Sequence, residues 1–232
     1  MNTLKVTGLK KKYGSNDVFT DLSVHLQQNR FVVLLGANGS GKSTFLRLCA
    51  GLAPQSAGSI ELNDAEERMN RAQLSSYVSE KAAFGFNDTA EAILKSQSEI
   101  SPDFHLNKAI EFCDVVAVPM QTKWNVMSTG QRYLLSLIIA IAEQRPFIFI
   151  DEVLANLDTS KKEAMRSILT DFLVEEDRFI LMATHAYEDV EALADGVIFI
   201  ENKQATIIND LDKWRFEHGK SLKDLFAEVG KR

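Results

Sequence analysis

The chain has 232 residues, 45% of them hydrophobic and 25% charged, which excludes a disordered, collagenous or low-complexity protein and allows one generous domain or two small ones. Its 26 basic and 32 acidic residues leave a net charge of −6, the wrong sign for a protein that grips nucleic acid. Two cysteines, Cys49 and Cys113, are too few for a disulfide framework and have no metal-ligand spacing, so a reducing compartment is expected.

At the N-terminus, Met1–Val6 has neither the apolar core nor the cleavage site of a signal peptide. Leu4 and Val6, then Leu22, Val24 and Leu26, alternate with polar residues as half-buried strands do. Phe31 to Leu35 is a continuous apolar run that stops at Gly36, the mark of a strand buried on both faces. Phe147–Ile150 and Phe179–Met182 repeat that pattern, and each follows a helical segment, Gln131–Glu143 and Lys161–Val174 respectively. Such alternation predicts a parallel sheet with helices on its faces. Val197–Ile200 and Ala205–Ile208 flank Glu201–Gln204 and read as a late hairpin. Between these parts, residues from about 81 to 125 have helical patterning, no buried strand, and two prolines, Pro102 and Pro119. No apolar run approaches the roughly 20 residues that span a bilayer; the longest candidate, Leu134–Ala142, is nine residues long and is followed by Glu143. The protein is therefore expected in the cytosol, able to dock on a membrane protein.

Gly36-Ala37-Asn38-Gly39-Ser40-Gly41-Lys42-Ser43-Thr44 matches G-x-x-x-x-G-K-[ST] between a buried strand and the helical pattern Phe45, Leu46, Leu48. The glycines let successive backbone N–H groups turn inward, the helix N-terminus adds positive potential, Lys42 reaches the outer phosphates, and Ser43 offers its hydroxyl to Mg²⁺. The later strand Phe147–Ile150 delivers Asp151 and Glu152 to the C-terminal edge of the sheet, where ligands of open α/β sheets bind. Asp151 is suited to hold Mg²⁺ and Glu152 to polarise the attacking water.

With these residues in view, nearly the whole chain resembles the nucleotide-binding subunit of an ATP-binding-cassette transporter. Met127-Ser128-Thr129-Gly130-Gln131 resembles that family's signature, Leu-Ser-Gly-Gly-Gln; Ala155-Asn156-Leu157-Asp158 resembles its D-loop; Thr184-His185 resembles its switch histidine; and Tyr13 matches the aromatic that stacks on adenine. The order and spacing fit a compact cassette: 86 residues from Lys42 to Ser128, 23 on to Asp151 and 34 more to His185. The resemblance implies an α/β fold: a phosphate-loop ATPase core with a mostly parallel sheet, an N-terminal antiparallel β subdomain and an inserted helical subdomain. Residues 1–232 would form one domain, with the helical part at about 81–130 and the signature at its end.

The resemblance also implies a division of labour. Tyr13, Gly36, Asn38, Gly39, Gly41, Lys42, Ser43 and Thr44 would bind ATP, while Ser128, Gly130 and Gln131 would form a second anion site at a helix start and cap the γ-phosphate held by an opposite subunit. Glu152, His185 and Lys42 would be catalytic, and Ser43, Asp151 and Glu80 would attend the Mg²⁺. The implied partners are an integral membrane permease subunit and a second ATPase subunit, with the protein peripheral on the inner face of the cell membrane and no nucleic acid expected. A soluble relative acting on DNA or ribosomes is the rival reading, but this chain has neither the long coiled coils nor the second cassette of such proteins.

Two positions depart from the family. Tyr77-Val78-Ser79-Glu80 stands where Tyr-Val-Pro-Gln usually leads into the Q-loop, so Glu80 brings a charge in place of an amide; Thr129 replaces the signature's first glycine. His185, Glu188 and Asp189 also lie close enough in sequence to read as metal ligands. In Lys81–Asn87, Phe84 or Phe86 is a candidate for a groove that receives a helix of the membrane subunit. Leu222, Leu225, Phe226 and Val229 form one stripe of a C-terminal helix, read as docked on its own domain or as a partner contact. The chain after Phe199 is too short for a regulatory domain, which points to export.

Overall fold

Strands that alternate apolar and polar residues bury one face, and strands that are apolar throughout must be covered on both. The computed structural model, which describes residues 2–27, 30–79, 84–151, 157–174 and 178–224, contains both kinds in two sheets. In chain order the elements are β1 (Thr3–Tyr13), β2 (Asn16–Gln27), β3 (Phe31–Gly36), α1 (Lys42–Cys49), β4 (Ala57–Leu62), α2 (Arg68–Leu74), β5 (Ser75–Ser79), α3 (Ala90–Ile100), α4 (Leu106–Val115), α5 (Thr129–Ala142), β6 (Phe147–Asp151), α6 (Thr159–Val174), β7 (Phe179–Ala183), β8 (Gly196–Glu201), β9 (Gln204–Ile208) and α7 (Leu211–His218).

The first two strands and β4 form an antiparallel sheet in the order β2-β1-β4. The larger sheet runs β5-β6-β7-β3-β8-β9, parallel except for β9, which closes the predicted hairpin against β8. The fold is thus mixed α/β, with a mostly parallel sheet and an N-terminal antiparallel one.

The period-two rule divides the apolar strands between two cores. Val32 and Leu34 of β3, Phe147 and Phe149 of β6, and Leu181 of β7 face α1 and the antiparallel sheet. Their neighbours Val33, Leu35, Ile148, Ile150, Ile180 and Met182 face the other way, onto α5, α6 and the helical segment. Helix α5 is buried from Tyr133 to Ala142, which explains why that stretch is apolar but for Ser136, whose hydroxyl donates to Arg132 O. No helix among the described residues is long and apolar enough to cross a membrane.

Helices α5 and α6 begin two residues before their predicted starts, at Thr129 and Thr159, because Ser128 caps the first and Asp158 bonds the amide of Lys161 at the second. Strands β4 and β5 and helices α2 and α7 were not predicted. They are short, and only Ile60, Leu62, Val78 and Leu211 of their apolar residues are fully buried, so they carry little periodic signal. Burial without charge neighbours to favour the thiolate pushes the thiol of Cys113 up to about 12, and burial does the same to Cys49, so both behave as inert core residues.

Candidate functional site

Three neighbouring parallel strands, β6, β7 and β3, end on the same edge of the sheet. Their exits therefore bring together Gly36, Asp151 and, just beyond Ala183, His185. Gly36 and Gly41 make the first exit possible. Gly36 has φ +153°, and a Cβ there would lie 2.5 Å from the carbonyl oxygen of Ile200. Gly41 has φ +103°, and a Cβ would come within 2.8 Å of Phe19 and Val18. Only glycine fits such backbone in such space. The loop then enters α1 directly, with the amide of Phe45 donating to Gly41 O at 2.8 Å.

Lys42 lies buried inside this loop, 7% exposed. Its ammonium donates to Gly36 O at 2.8 Å and Ala37 O at 3.1 Å, and stands 3.2 Å from His185 Nε2. Phosphate oxygens entering the loop would compete for the same donors, and as anions they make the stronger, charge-assisted bonds. Ser43 Oγ donates to Asp151 Oδ1 at 2.8 Å. The other oxygen, Oδ2, accepts from the Tyr77 hydroxyl at 2.7 Å. Burial, and then the bond to Asp151, raise the Tyr77 phenol above its ordinary range, so it stays a donor.

A hydroxyl and a carboxylate 2.8 Å apart are hard oxygen donors and suit Mg²⁺, which takes few protein ligands when phosphates complete its shell. Among the described residues no group of three or more His, Cys, Asp or Glu side chains is placed to hold a metal by itself. The alternative ligand trio is dispersed: His185 approaches Lys42, Asp189 pairs with Lys162 at 2.7 Å, and Glu188 with Lys223 at 3.5 Å. Glu80 and Glu152 lie outside the described residues, as do Ala155 and Asn156 of the D-loop resemblance.

The start of α5 is a capping box. Ser128 Oγ accepts from Gln131 N at 3.2 Å, and Gln131 Oε1 accepts from Ser128 N at 2.9 Å. Thr129 is the first helical residue, a position whose backbone a β-branched side chain adopts freely, and Gly130 is buried behind it. The departure from glycine at Thr129 therefore leaves the helix start intact.

Residues 19–155, more than half of the chain, match the family described as ABC transporter. The chain belongs to that family. Among its relatives are the ABC transporter ATP-binding protein YtrB of Bacillus subtilis (strain 168), 27% identical over 93% of this chain and 74% of that protein, and the thiamine import ATP-binding protein ThiQ of Rhizobium meliloti (strain 1021), 30% identical over 91% of each. A solved structure titled as an ATP binding subunit of an ABC transporter has the same fold, with a TM-score of 0.85, 21% identity and coverage of 98% of this chain and 99% of that one. The protein is an ABC-type ATP-binding subunit of a transporter and an ATP hydrolase.

For an ABC subunit, the remaining candidates fall as follows. Tyr13 ends β1, 49% exposed, with the Lys11 ammonium 4.4 Å from its ring centroid on one face. Asn38 and Gly39 are exposed on the loop, while Thr44 is half-buried in the first turn of α1. Phe84 packs edge-to-face on Trp124, at 5.0 Å and 78°, and lines a cavity of about 260 Å³ with Tyr77, Gln97, Glu143 and Arg145. Phe86 is 70% exposed. Leu222 is buried against the domain; Leu225, Phe226 and Val229 lie outside the described residues.

Sequence reasoning gave no role to Lys11, Tyr77 or Tyr133. Tyr133, on α5, is fully buried, and burial followed by the charge of Asp151 pushes its phenol up. Its hydroxyl has no hydrogen-bond partner among the described residues. No motif assigns these side chains a role: Tyr77 stands in one but meets Asp151 across strands, Tyr133 lies across the core from it, and Lys11 meets Tyr13 only by folding over its ring.

Proposed function

We propose that this ABC subunit binds Mg-ATP at residues 36–44 and hydrolyses it to drive a separate integral membrane permease, with two such cassettes closing on the nucleotide. The observation that carries the reading is the convergence of Lys42, His185, Ser43 and Asp151 at one edge of the parallel sheet. Lys42 and the loop N–H groups bind the phosphate tail, and Tyr13 stacks on the base with the face that Lys11 leaves open. Ser43 and Asp151 would hold Mg²⁺, which supplies charge neutralisation at the outer phosphates. Glu152 accepts the proton of the attacking water, and His185 keeps that water and the γ-phosphate in line. Ser128, Gly130 and Gln131 serve the nucleotide of the opposite subunit through the exposed start of α5.

By its match to the Q-loop position, Glu80 would bring a carboxylate to the metal, where an amide is usual in the family. Glu80→Gln is expected to shift the Mg²⁺ dependence of turnover and leave metal-free ATP binding nearly unaltered; an unchanged Mg²⁺ titration removes Glu80 from the metal's surroundings. The permease is read as docking where Phe84 lines the cavity and where Phe86, two residues on in the chain, stands exposed. That docking would hold the protein on the inner face of the cell membrane. The net charge of −6 gives no support for a nucleic-acid partner.

Export rested on the short chain after Phe199. The relative named for thiamine import matches this chain over 91% of both lengths, so shortness no longer favours export, and direction and cargo belong to the permease. Reconstitution of the subunit in vesicles with its permease tests the reading: ATP-dependent cargo movement that Lys42→Ala abolishes is expected, and movement indifferent to Lys42 contradicts it.

A further inference from the structure

Asp151 is held from two sides. Its Oδ1 accepts from Ser43 at 2.8 Å and its Oδ2 from Tyr77 at 2.7 Å. In the parallel pairing of β5 with β6, Tyr77 lies opposite Phe149 and Ser79 opposite Asp151. Tyr77 and Asp151 are thus diagonal neighbours on one face of the sheet, and the phenol reaches forward along its strand to the carboxylate.

The two bonds differ in what a cation does to them. A divalent ion held by both Ser43 Oγ and Asp151 Oδ1 would take a lone pair of each, and the hydroxyl proton that now joins the two atoms would have to point away from the ion, so that bond is surrendered. The Tyr77 bond is on the other oxygen and survives. A carboxylate on an sp³–sp² torsion has a broad rotational range, and with the Ser43 bond surrendered, Tyr77 is its remaining hydrogen-bond donor among the described side chains. Ligating carboxylates hydrogen-bonded from behind are oriented before the metal arrives, and losing such a partner costs about 10- to 100-fold in metal affinity.

We propose that Tyr77 is a positioning residue that holds the Asp151 carboxylate in its cation-binding orientation when Ser43 turns from Asp151 to the metal. The inference rests on the reading of Asp151 as a metal ligand and goes beyond it to a residue that does not itself touch the ion. Tyr77→Phe removes the hydroxyl and keeps the ring that packs on the core.

The test uses the purified full chain, Mn²⁺ as the probe and a non-hydrolysable ATP analogue, with free Mn²⁺ followed by electron paramagnetic resonance. Tyr77→Phe is expected to weaken Mn²⁺ binding about 10-fold, with metal-free analogue binding and melting temperature close to those of the unaltered protein. Asp151→Asn is expected to weaken Mn²⁺ at least as much, and the double variant no more than Asp151→Asn alone, because Tyr77 acts through that carboxylate. Unaltered Mn²⁺ affinity in Tyr77→Phe, beside a loss in Asp151→Asn, overturns the inference and leaves the metal reading standing. Additive losses in the double variant overturn it as well. Unaltered affinity in Asp151→Asn overturns the metal reading and the inference together.

Discussion

Lys42 is the centre of the loop proposed to bind phosphate: its ammonium donates to the carbonyls of Gly36 and Ala37 and sits beside His185. Lys42→Ala exchanges those charge-assisted contacts for none. Each such bond is worth about 1.5–3 kcal/mol, roughly 10- to 100-fold in affinity, so ATP binding measured by titration should fall by at least that factor, and turnover with it. Wild-type binding would contradict the loop's assignment. Gly41 is held just as tightly, by its backbone. At φ +103°, with Phe19 and Val18 within 2.8 Å of a new Cβ, Gly41→Ala should lose about 1–3 kcal/mol of stability to strain and lower the melting temperature. An unchanged melt would show that α1 can shift to make room. Lys42, Ser43 and Asp151 were legible in the sequence because each stands in a motif beside a strand with an unmistakable apolar run. Tyr77 was not, because its partner lies 74 residues away on a neighbouring strand, and β5 itself is too short and polar to announce that pairing.

Helix α5 ties the segment that resembles the signature to the core. Its start is the capping box of Ser128 and Gln131, and its body from Tyr133 to Ala142 is buried. Ser128→Ala removes the side-chain acceptor for Gln131 N, which should cost about 1 kcal/mol and lower the melting temperature by about 2–4 °C in a domain of this size. Binding of ATP to the single chain should stay as it was, because Ser128 is read as serving the opposite nucleotide. Loss of that binding would place Ser128 in its own subunit's site. Phe149, fully buried on β6 and stacked on Phe147 with centroids 6.3 Å apart, tests the other end of the argument: Phe149→Ala should cost about 3–5 kcal/mol in a denaturant melt. A loss below 1 kcal/mol would mean that this face of the sheet repacks. At this scale the buried strands and the helices α5 and α6 were legible from periodicity. What Thr129 does in place of glycine was not legible, since its position in the first turn, after the cap, emerges only when the helix start is known.

The two cores of the molecule meet at the parallel sheet, and the edge where β3, β6 and β7 end is where Lys42, Ser43, Asp151 and His185, the residues proposed for nucleotide chemistry, converge. The capped start of α5 presents Ser128 to solvent, consistent with an anion site that a second copy completes. Nucleotide bound only in the closed pair would stabilise that pair by mass action. The measurement closest to this claim is light scattering on two variants with ATP. Glu152→Gln should lose roughly 10²–10⁴-fold in turnover, the share of a general base, while keeping ATP, and should run as a monomer without nucleotide and a dimer with it. Adding Ser128→Arg should abolish the dimer and leave ATP binding to the monomer in place. A double variant that dimerises as well as Glu152→Gln alone would contradict the composite site.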